Sequence, residues 1–252
     1  MTENTQKTGR RFFGKSAGAL ASAGIIMNSA GLLGVHANNK PNTGEKSLKR
    51  NRVGGVAYSY QYSIGLFKYN NRPGGKFDAM KFLEANYQAG GEIAQLYYPM
   101  IKNLNNDDLV KLRRRAEELN MRLEVLGGNA LGRSFEDCIN RAVTLGSKIV
   151  GCTFGFLMRP NKISTLEAWD KHTNKCLARL RKLAPIAKSL GIIIAAENHF
   201  DFTVDEMYNL IKNVNSPHVG ILFDVGNIIG TLDDPTEAAD KLGPLIVATH
   251  YK

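Results

Sequence analysis

Residues 192–224 read IIIAAENHFDFTVDEMYNLIKNVNSPHVGILFD, and this stretch decides the fold. An apolar run ends in Glu197, and a second apolar run ends in Asp224 after an amphipathic segment. Within that segment, Thr203 and Glu206 have the spacing of a capping box, which marks the start of a helix. Continuously apolar runs on both sides of such a helix are typical of parallel strands joined by a crossover helix. The stretch therefore predicts one βα repeat and the strand that follows it.

The same alternation of short apolar runs and longer amphipathic segments extends over residues 53–252. Seven runs are expected to be strands, at residues 55–60, 93–98, 122–126, 149–154, 192–197, 220–224 and 245–250. When the fourth is taken to end at Thr153, the last six strand ends lie 26–28 residues apart, with one interval of 44. An interval of that length holds one strand and one helix. Because no glycine-rich phosphate loop follows the first run, a TIM barrel fits better than a dinucleotide-binding sheet.

Seven strands are one fewer than a TIM barrel has. After His250 the sequence offers only Tyr251 and Lys252, and residues 53–252 are fewer than the roughly 250 residues of a typical βα barrel. We therefore expect an α/β fold of the TIM (β/α)8 type with about seven strands, in a chain that stops before strand eight. A missed strand is the alternative.

Residues 1–37 have the order of regions that a secretory signal shows, with a basic start, an uncharged stretch and a small-residue cleavage site. Arg10 and Arg11, followed by aromatic residues, resemble a twin-arginine signal, which implies an exported, periplasmic protein. An ordinary signal with a basic start and a retained membrane anchor are the alternatives. We expect residues 38–52 to be a basic flexible linker and residues 53–252 to be the barrel domain.

The formal net charge of +10 lies mostly ahead of the predicted barrel. Residues 1–52 carry nine Lys/Arg and two Glu, so the remaining residues are close to neutral. A nucleic-acid-binding surface on the barrel is therefore not indicated. We expect contact with a membrane only during export.

Three adjacent predicted strands end in residues of types that bind divalent cations, namely Glu197, Asp224 and His250. Barrel enzymes build their sites at these strand ends, and a cation offsets the cost of a carboxylate in an apolar setting. Two carboxylates and one imidazole suit Mn²⁺ best, with Mg²⁺, Co²⁺ or Zn²⁺ as alternatives. The sequence therefore predicts a metal site. The structural alternatives are a helix cap for Asp224, a rim histidine for His250 and a Glu197–Lys252 ion pair.

Three further polar residues accompany the predicted ligands. Side chains alternate along a strand, so His199 shares the phase of Glu197, and Lys252 shares that of His250. Asn227 follows Asp224 by three residues. We expect His199, Asn227 and Lys252 to bind substrate beside the metal.

Residues 197–199 (Glu-Asn-His), 224–227 (Asp-Val-Gly-Asn) and 250–252 (His-Tyr-Lys) resemble, in order and spacing, motifs of the xylose isomerase-like barrel family. That family holds sugar and sugar-phosphate isomerases and epimerases, and the resemblance covers about residues 53–252. It implies four metal ligands from strands five to eight, and the first residue of each motif matches one of the first three. The fourth, a glutamate on strand eight, has no counterpart in this sequence.

The resemblance implies proton abstraction next to a carbonyl through a metal-stabilised enediolate, with Glu197 as the catalytic base. We expect an isomerase or epimerase acting on a sugar or a sugar derivative. A dehydratase on the same barrel and a truncated, non-catalytic sugar-binding barrel stay open as alternatives. A phosphodiesterase with a histidine-rich metal cluster is disfavoured, because the chain has five histidines. The identity of the sugar, its phosphorylation and a homo-oligomeric state are left open.

Overall fold

The computed structural model describes residues 25–27, 52–61, 63, 77–155 and 163–251. Among these residues, seven parallel strands stand in chain order around a barrel, which confirms the predicted fold class. The parallel strands are β2 (Val53–Val56), β3 (Ile93–Tyr97), β4 (Arg122–Asn129), β5 (Ile149–Thr153), β6 (Ile193–Glu197), β7 (Val219–Asp224) and β8 (Ile246–Tyr251).

A short strand that the sequence did not predict, β1 (Ile25–Met27), lies between β2 and β8. It pairs antiparallel with both, so the ring is closed and the backbone groups along the two edges find partners. These three residues belong to the uncharged stretch of the predicted signal peptide. The rest of that peptide and the linker, up to residue 51, lie outside the described residues, and export stays a prediction.

Helices connect the strands on the outside of the barrel. They are α1 (Ala79–Gln88), α2 (Tyr98–Ile101), α3 (Asn106–Glu118), α4 (Phe135–Thr144), α5 (Leu166–Leu190), α6 (Val204–Val214), α7 (Val225–Ile228) and α8 (Pro235–Leu242). The predicted capping box at the start of α6 is present, with both Thr203 and Glu206 engaged. The 25 residues of α5 account for the one long interval between strand ends. No helix in the described part of the chain has the length and apolar character needed to span a membrane.

The first parallel strand ends earlier than the sequence predicts. Residues 57–60 were expected to continue the strand, whereas they form a 3₁₀ turn. The turn is held by packing, because Ala57 is fully buried and the ring of Tyr60 stacks on Phe77 at 5.2 Å between centroids. The turn carries Tyr58 and Ser59 to the mouth of the barrel, where they line its cavity.

Part of the interior of the barrel beneath its mouth is an apolar layer. One buried cluster consists of Leu126, Ile149, Ala195, Leu222 and Ala248, each from a different strand. Side chains two positions apart on a strand point to the same face. On β6, β7 and β8 the predicted metal ligand follows the cluster residue by two positions. The predicted ligands therefore face the same interior as the cluster, one residue layer closer to the mouth.

Candidate metal centre

Three side chains of ligand type meet at the carboxyl ends of β6, β7 and β8. Glu197, Asp224 and His250 are buried, with exposed fractions of 5%, 0% and 5%. The parallel register places Asp224 directly beside His250 and Glu197 beside the neighbouring strand residue Leu222. One ligand atom of each residue lies within 4.8 Å of the others. The structure thus brings together the three residues that the sequence named.

His250 turns one ring nitrogen toward the carboxylates and the other away from them. Its Nδ1 lies 3.8 Å from Glu197 Oε1 and 3.7 Å from Asp224 Oδ2. Burial lowers the pKa of His250, but the adjacent carboxylates of Asp224 and Glu197 stabilise the charged ring more strongly and raise the pKa to about 9. A proton on Nδ1 therefore neutralises part of the charge of the two acids. A divalent cation would do the same in its place.

The donor set fits such a cation. Carboxylate oxygens bind Mg²⁺ and Zn²⁺, and imidazole nitrogens bind Zn²⁺, at about 2.0–2.2 Å, so two donors on one ion are separated by up to about 4 Å. The two separations at His250 Nδ1, 3.7 and 3.8 Å, lie within that span. Two buried acids side by side are costly without a counter-charge. The three residues therefore form a group that suits a divalent metal.

Asp224 has a second role, as the cap of helix α7. Its Oδ1 accepts a hydrogen bond from the backbone N–H of Asn227 at 3.2 Å. Its Oδ2 is the oxygen that faces His250. The cap that the sequence offered as an alternative to metal binding is present, but it uses a different oxygen, so the two roles are compatible.

Asn227 lies behind Glu197. The side chain is 1% exposed, and its Nδ2 donates to Glu197 Oε1 at 3.3 Å. The sequence predicted a substrate-binding role for Asn227. In the structure the amide contacts the carboxylate itself, and this contact orients Glu197.

Asn198 joins the ends of β6 and β7. Its Nδ2 donates to the backbone carbonyl of Asp224 at 2.9 Å, and its Oδ1 accepts from the backbone N–H of Asp224 at 2.8 Å. Both bonds are buried. They fix Asp224 relative to Glu197, the residue that precedes Asn198, and sequence reasoning assigned no role to this asparagine.

A tight turn follows β6 and presents His199. Phe200, in this turn, adopts a positive φ of 52°. Its ring packs so closely on Gly230 that a Cβ atom at position 230 would lie 2.1 Å from it, so position 230 requires glycine. Asp201 Oδ1 accepts the backbone N–H groups of His199 and Phe202 at 3.3 and 3.1 Å. Burial raises the pKa of Asp201 to about 7. The turn is therefore held by a buried carboxyl group and a close aromatic contact.

A cavity of ≈ 110 Å³ opens beside Glu197 and His250. Its lining consists of Val56, Tyr58, Ser59, Tyr97, Leu126, Gly128, Thr153, Glu197, His199, His250 and Tyr251. Tyr58 and Tyr97 meet edge to face at 5.8 Å between centroids and form an aromatic wall. His199 lies in the lining, as its predicted substrate-binding role requires. Lys252, the third predicted substrate residue, lies outside the described residues.

Two buried polar residues that the sequence reasoning missed lie below the ligands. Gln95 on β3 and Glu124 on β4 have exposed fractions of 0% and 2%. Gln95 contacts both His250 and Glu124. Their phase on the strand became informative only once the structure showed that Tyr97 and Leu126, two positions further on, line the cavity.

Comparison with known proteins agrees with this architecture. A family model described as "Xylose isomerase-like TIM barrel" matches residues 83–252. The 3-oxo-isoapionate decarboxylase of Pectobacterium atrosepticum is 26% identical over 172 residues, which cover 68% of this chain and 58% of the decarboxylase. The chain therefore spans somewhat more than half the length of that relative.

Solved structures share the fold at low sequence identity. A D-psicose 3-epimerase with D-tagatose from Clostridium cellulolyticum H10 has a TM-score of 0.58 and 16% identity, over 67% of this chain and 65% of the epimerase. The IOLI protein with a bound zinc atom has a TM-score of 0.52 and 18% identity, over 68% of this chain and 66% of that protein. At sequence identities this low, the structural similarity establishes a common fold only.

Proposed function

Because the chain belongs to the xylose isomerase-like TIM barrel family, we propose that it is a divalent-metal-dependent isomerase or epimerase of a sugar or sugar derivative. The observation that carries the proposal is the buried group of Glu197, Asp224 and His250 beside a cavity. The family and the epimerases among the structural neighbours indicate a sugar-modifying enzyme.

Glu197, Asp224 and His250 would hold the ion. We favour Mn²⁺, because two carboxylates and one imidazole form a mainly hard donor set, and the zinc in the IOLI protein supports a divalent ion in this fold. When bound, the cation would act as a Lewis acid toward the carbonyl and hydroxyl oxygens of the substrate.

Glu197 is the proposed base that takes the proton from the carbon next to the carbonyl. The carboxylate lines the cavity while only 5% of the residue is exposed, so a bound substrate reaches it and bulk water is largely excluded. The Asn227 amide holds one oxygen of Glu197 and so limits its rotation. A positioned base of this kind contributes about 10²–10⁴-fold to the rate.

The remaining lining suits a sugar. Tyr58 and Tyr97 offer an apolar wall to the C–H face of a sugar ring or chain, and His199 and Thr153 offer polar groups to its hydroxyls. The return of the proton decides the product. One base that serves both carbons gives isomerisation, and a second acid on the opposite face gives epimerisation.

A lyase acting at the same site is the second candidate, and similarity to the 3-oxo-isoapionate decarboxylase favours it. Decarboxylation and dehydration next to a carbonyl both pass through the same type of enolate electron distribution as proton abstraction. The site residues would be the same. In decarboxylation, loss of CO₂ would form the enolate in place of proton abstraction, and a proton would then add to the same carbon. In dehydration, proton abstraction would be followed by loss of the neighbouring hydroxyl group as water.

The test is proton exchange. Full-length protein loaded with Mn²⁺ is incubated in D₂O with a panel of ketoses, aldoses and 3-oxo sugar acids, and the products are followed by NMR. We expect deuterium to enter at the carbon next to the carbonyl, and Glu197→Gln to slow its entry about 10²–10⁴-fold. Metal-loaded protein that exchanges no proton in any sugar would overturn the isomerase proposal, and release of CO₂ alone would favour the lyase.

Export to the periplasm by a twin-arginine signal is also part of the proposal, and it favours a free sugar over a sugar phosphate. Cell fractionation of the tagged protein tests it. A signal variant with both Arg10 and Arg11 changed to Lys should keep the protein in the cytoplasm.

A further inference from the structure

The interior of the barrel beneath His250 contains an amide and a carboxylate in otherwise apolar surroundings. Gln95 on β3 is 0% exposed and Glu124 on β4 is 2% exposed. Burying such groups is costly unless each is hydrogen-bonded. Their contacts therefore show what the two residues stabilise.

The two residues form a chain of contacts that ends on His250. Gln95 and Glu124 stand opposite each other in the β3–β4 register. Gln95 Nε2 donates to Glu124 Oε2 at 3.4 Å, and Gln95 Oε1 lies 2.9 Å from His250 Nε2. This series of contacts thus runs from β4 through β3 to β8, across the interior and out of contact with solvent.

The chemistry of the three side chains decides which atom donates and which accepts in each contact. Because the NH₂ group of Gln95 donates to Glu124 Oε2, the amide oxygen of Gln95 faces His250. That oxygen only accepts, so His250 must present Nε2–H. In a neutral imidazole the lone pair is then on Nδ1, the nitrogen that faces Glu197 and Asp224.

We propose that Gln95 and Glu124 are positioning residues that hold His250 as the Nε2–H tautomer and direct Nδ1 to the metal ion. The inference rests on the proposed function in one respect, that the three ligands bind a cation. Histidines that bind metals generally donate their other N–H to a fixed acceptor, and loss of that acceptor typically lowers metal affinity about 10- to 100-fold.

The first variant is Gln95→Leu in the full 252-residue chain. Zn²⁺ binding is measured by isothermal titration calorimetry, and the protonated ring nitrogen of His250 is identified by long-range ¹H–¹⁵N NMR of ¹⁵N-histidine protein. In the Zn²⁺-loaded wild type we expect Nε2 to carry the proton and Nδ1 to show the shift of a metal-bound nitrogen. In Gln95→Leu we expect about 10- to 100-fold weaker binding, with part of the Zn²⁺ bound through Nε2 instead of Nδ1.

A matched control removes a buried amide from the same region without touching the chain of contacts. Asn86 on α1 donates to the backbone carbonyl of Ile93 on β3 and is 6% exposed. Asn86→Leu should lower the melting temperature and leave both Zn²⁺ affinity and the tautomer unchanged. Glu124→Leu and Glu124→Gln form a second pair, in which the amide oxygen of glutamine still accepts from Gln95 and leucine does not. We expect weaker Zn²⁺ binding in Glu124→Leu than in Glu124→Gln.

The outcomes separate the inference from the function on which it rests. A wild-type chain that binds no Zn²⁺ through His250 would overturn the proposed metal site and the positioning role with it. Wild-type binding through Nδ1, unchanged in Gln95→Leu and Glu124→Leu, would overturn the positioning role alone. Equal loss of affinity in Asn86→Leu and Gln95→Leu would assign the effect to stability and would also overturn it.

Discussion

The two sides of the barrel carry their polar residues at different depths. On β6, β7 and β8 the polar residues Glu197, Asp224 and His250 stand at the mouth, above an apolar interior. On β3 and β4 the order is reversed, with Gln95 and Glu124 inside and the cavity-lining Tyr97 and Leu126 above them. Residues at the mouth are placed to meet a ligand, whereas those below can only act through a neighbour. In the proposed function, depth along these five strands therefore separates the residues that would touch the substrate or metal from the residues that would position them.

The largest effect is expected at the mouth, from Glu197→Gln. The amide cannot take up a proton, although its oxygen can still face the metal and the Asn227 amide. The rate of proton exchange should fall about 10²–10⁴-fold. Exchange into the substrate identified in D₂O is the measurement, with Mn²⁺ content as the control. Unchanged exchange would remove Glu197 from its role as base.

The next largest effect is expected in the apolar interior beneath the mouth, from Leu222→Ala. Leu222 is fully buried in the interior cluster and precedes the ligand Asp224 by two residues. The cavity left behind should lower the free energy of unfolding by about 2–5 kcal/mol. Urea unfolding followed by circular dichroism measures it. A loss below 1 kcal/mol, roughly the cost of a volume-conserving swap, would contradict the tight packing of the interior.

A pH-dependent effect is expected from Asp201→Asn, behind the mouth on the β6 side. The pKa of Asp201 is raised from 3.8 to about 7 by burial, so its contribution to stability is full below pH 4 and is lost as the pH rises through 7. Asparagine keeps the oxygen that accepts from His199 and Phe202. The variant should therefore melt higher than the wild type at pH 8 and show a smaller difference at pH 5. Equal differences at both pH values would contradict the assignment.

The smallest effect is expected on the aromatic side, from Tyr97→Leu. The substitution removes a ring from the cavity wall but leaves every proposed ligand in place. Because an aromatic contact of this kind contributes about 0.5–1.5 kcal/mol, KM should rise about 2- to 10-fold while kcat changes little. Steady-state kinetics with the identified sugar separate the two. A large fall in kcat would place Tyr97 among the groups that act in the reaction.

The β6–β8 side could be predicted from the sequence because each polar residue ends an apolar run. Glu197 and Asp224 interrupt continuous aliphatic stretches, and a strand end in a βα repeat is also a mouth position. The seven parallel strands followed from the same alternation. The apolar runs could not predict the residue at which the first parallel strand ends, because that depends on the packing of Tyr60 on Phe77.

The β3–β4 side could not be predicted in the same way. Gln95 and Glu124 lie in the middle of their strands, and without knowledge of which face is inward a polar residue there resembles a solvent-facing one. The position of β1 was also beyond sequence reasoning. Its pairing joins residues 25–27 to strands far along the chain, and its local pattern is that of an uncharged leader segment.

The most direct test of the account is the amount of Mn²⁺ bound by the wild type and by Asp224→Asn. Asparagine preserves the oxygen that caps α7 and replaces the oxygen that faces His250 with an NH₂ group, which cannot bind a cation. After dialysis against Mn²⁺ and elemental analysis, we predict one ion per wild-type chain and none in Asp224→Asn, with both proteins folded. One ion retained by Asp224→Asn would contradict the metal centre formed by Glu197, Asp224 and His250.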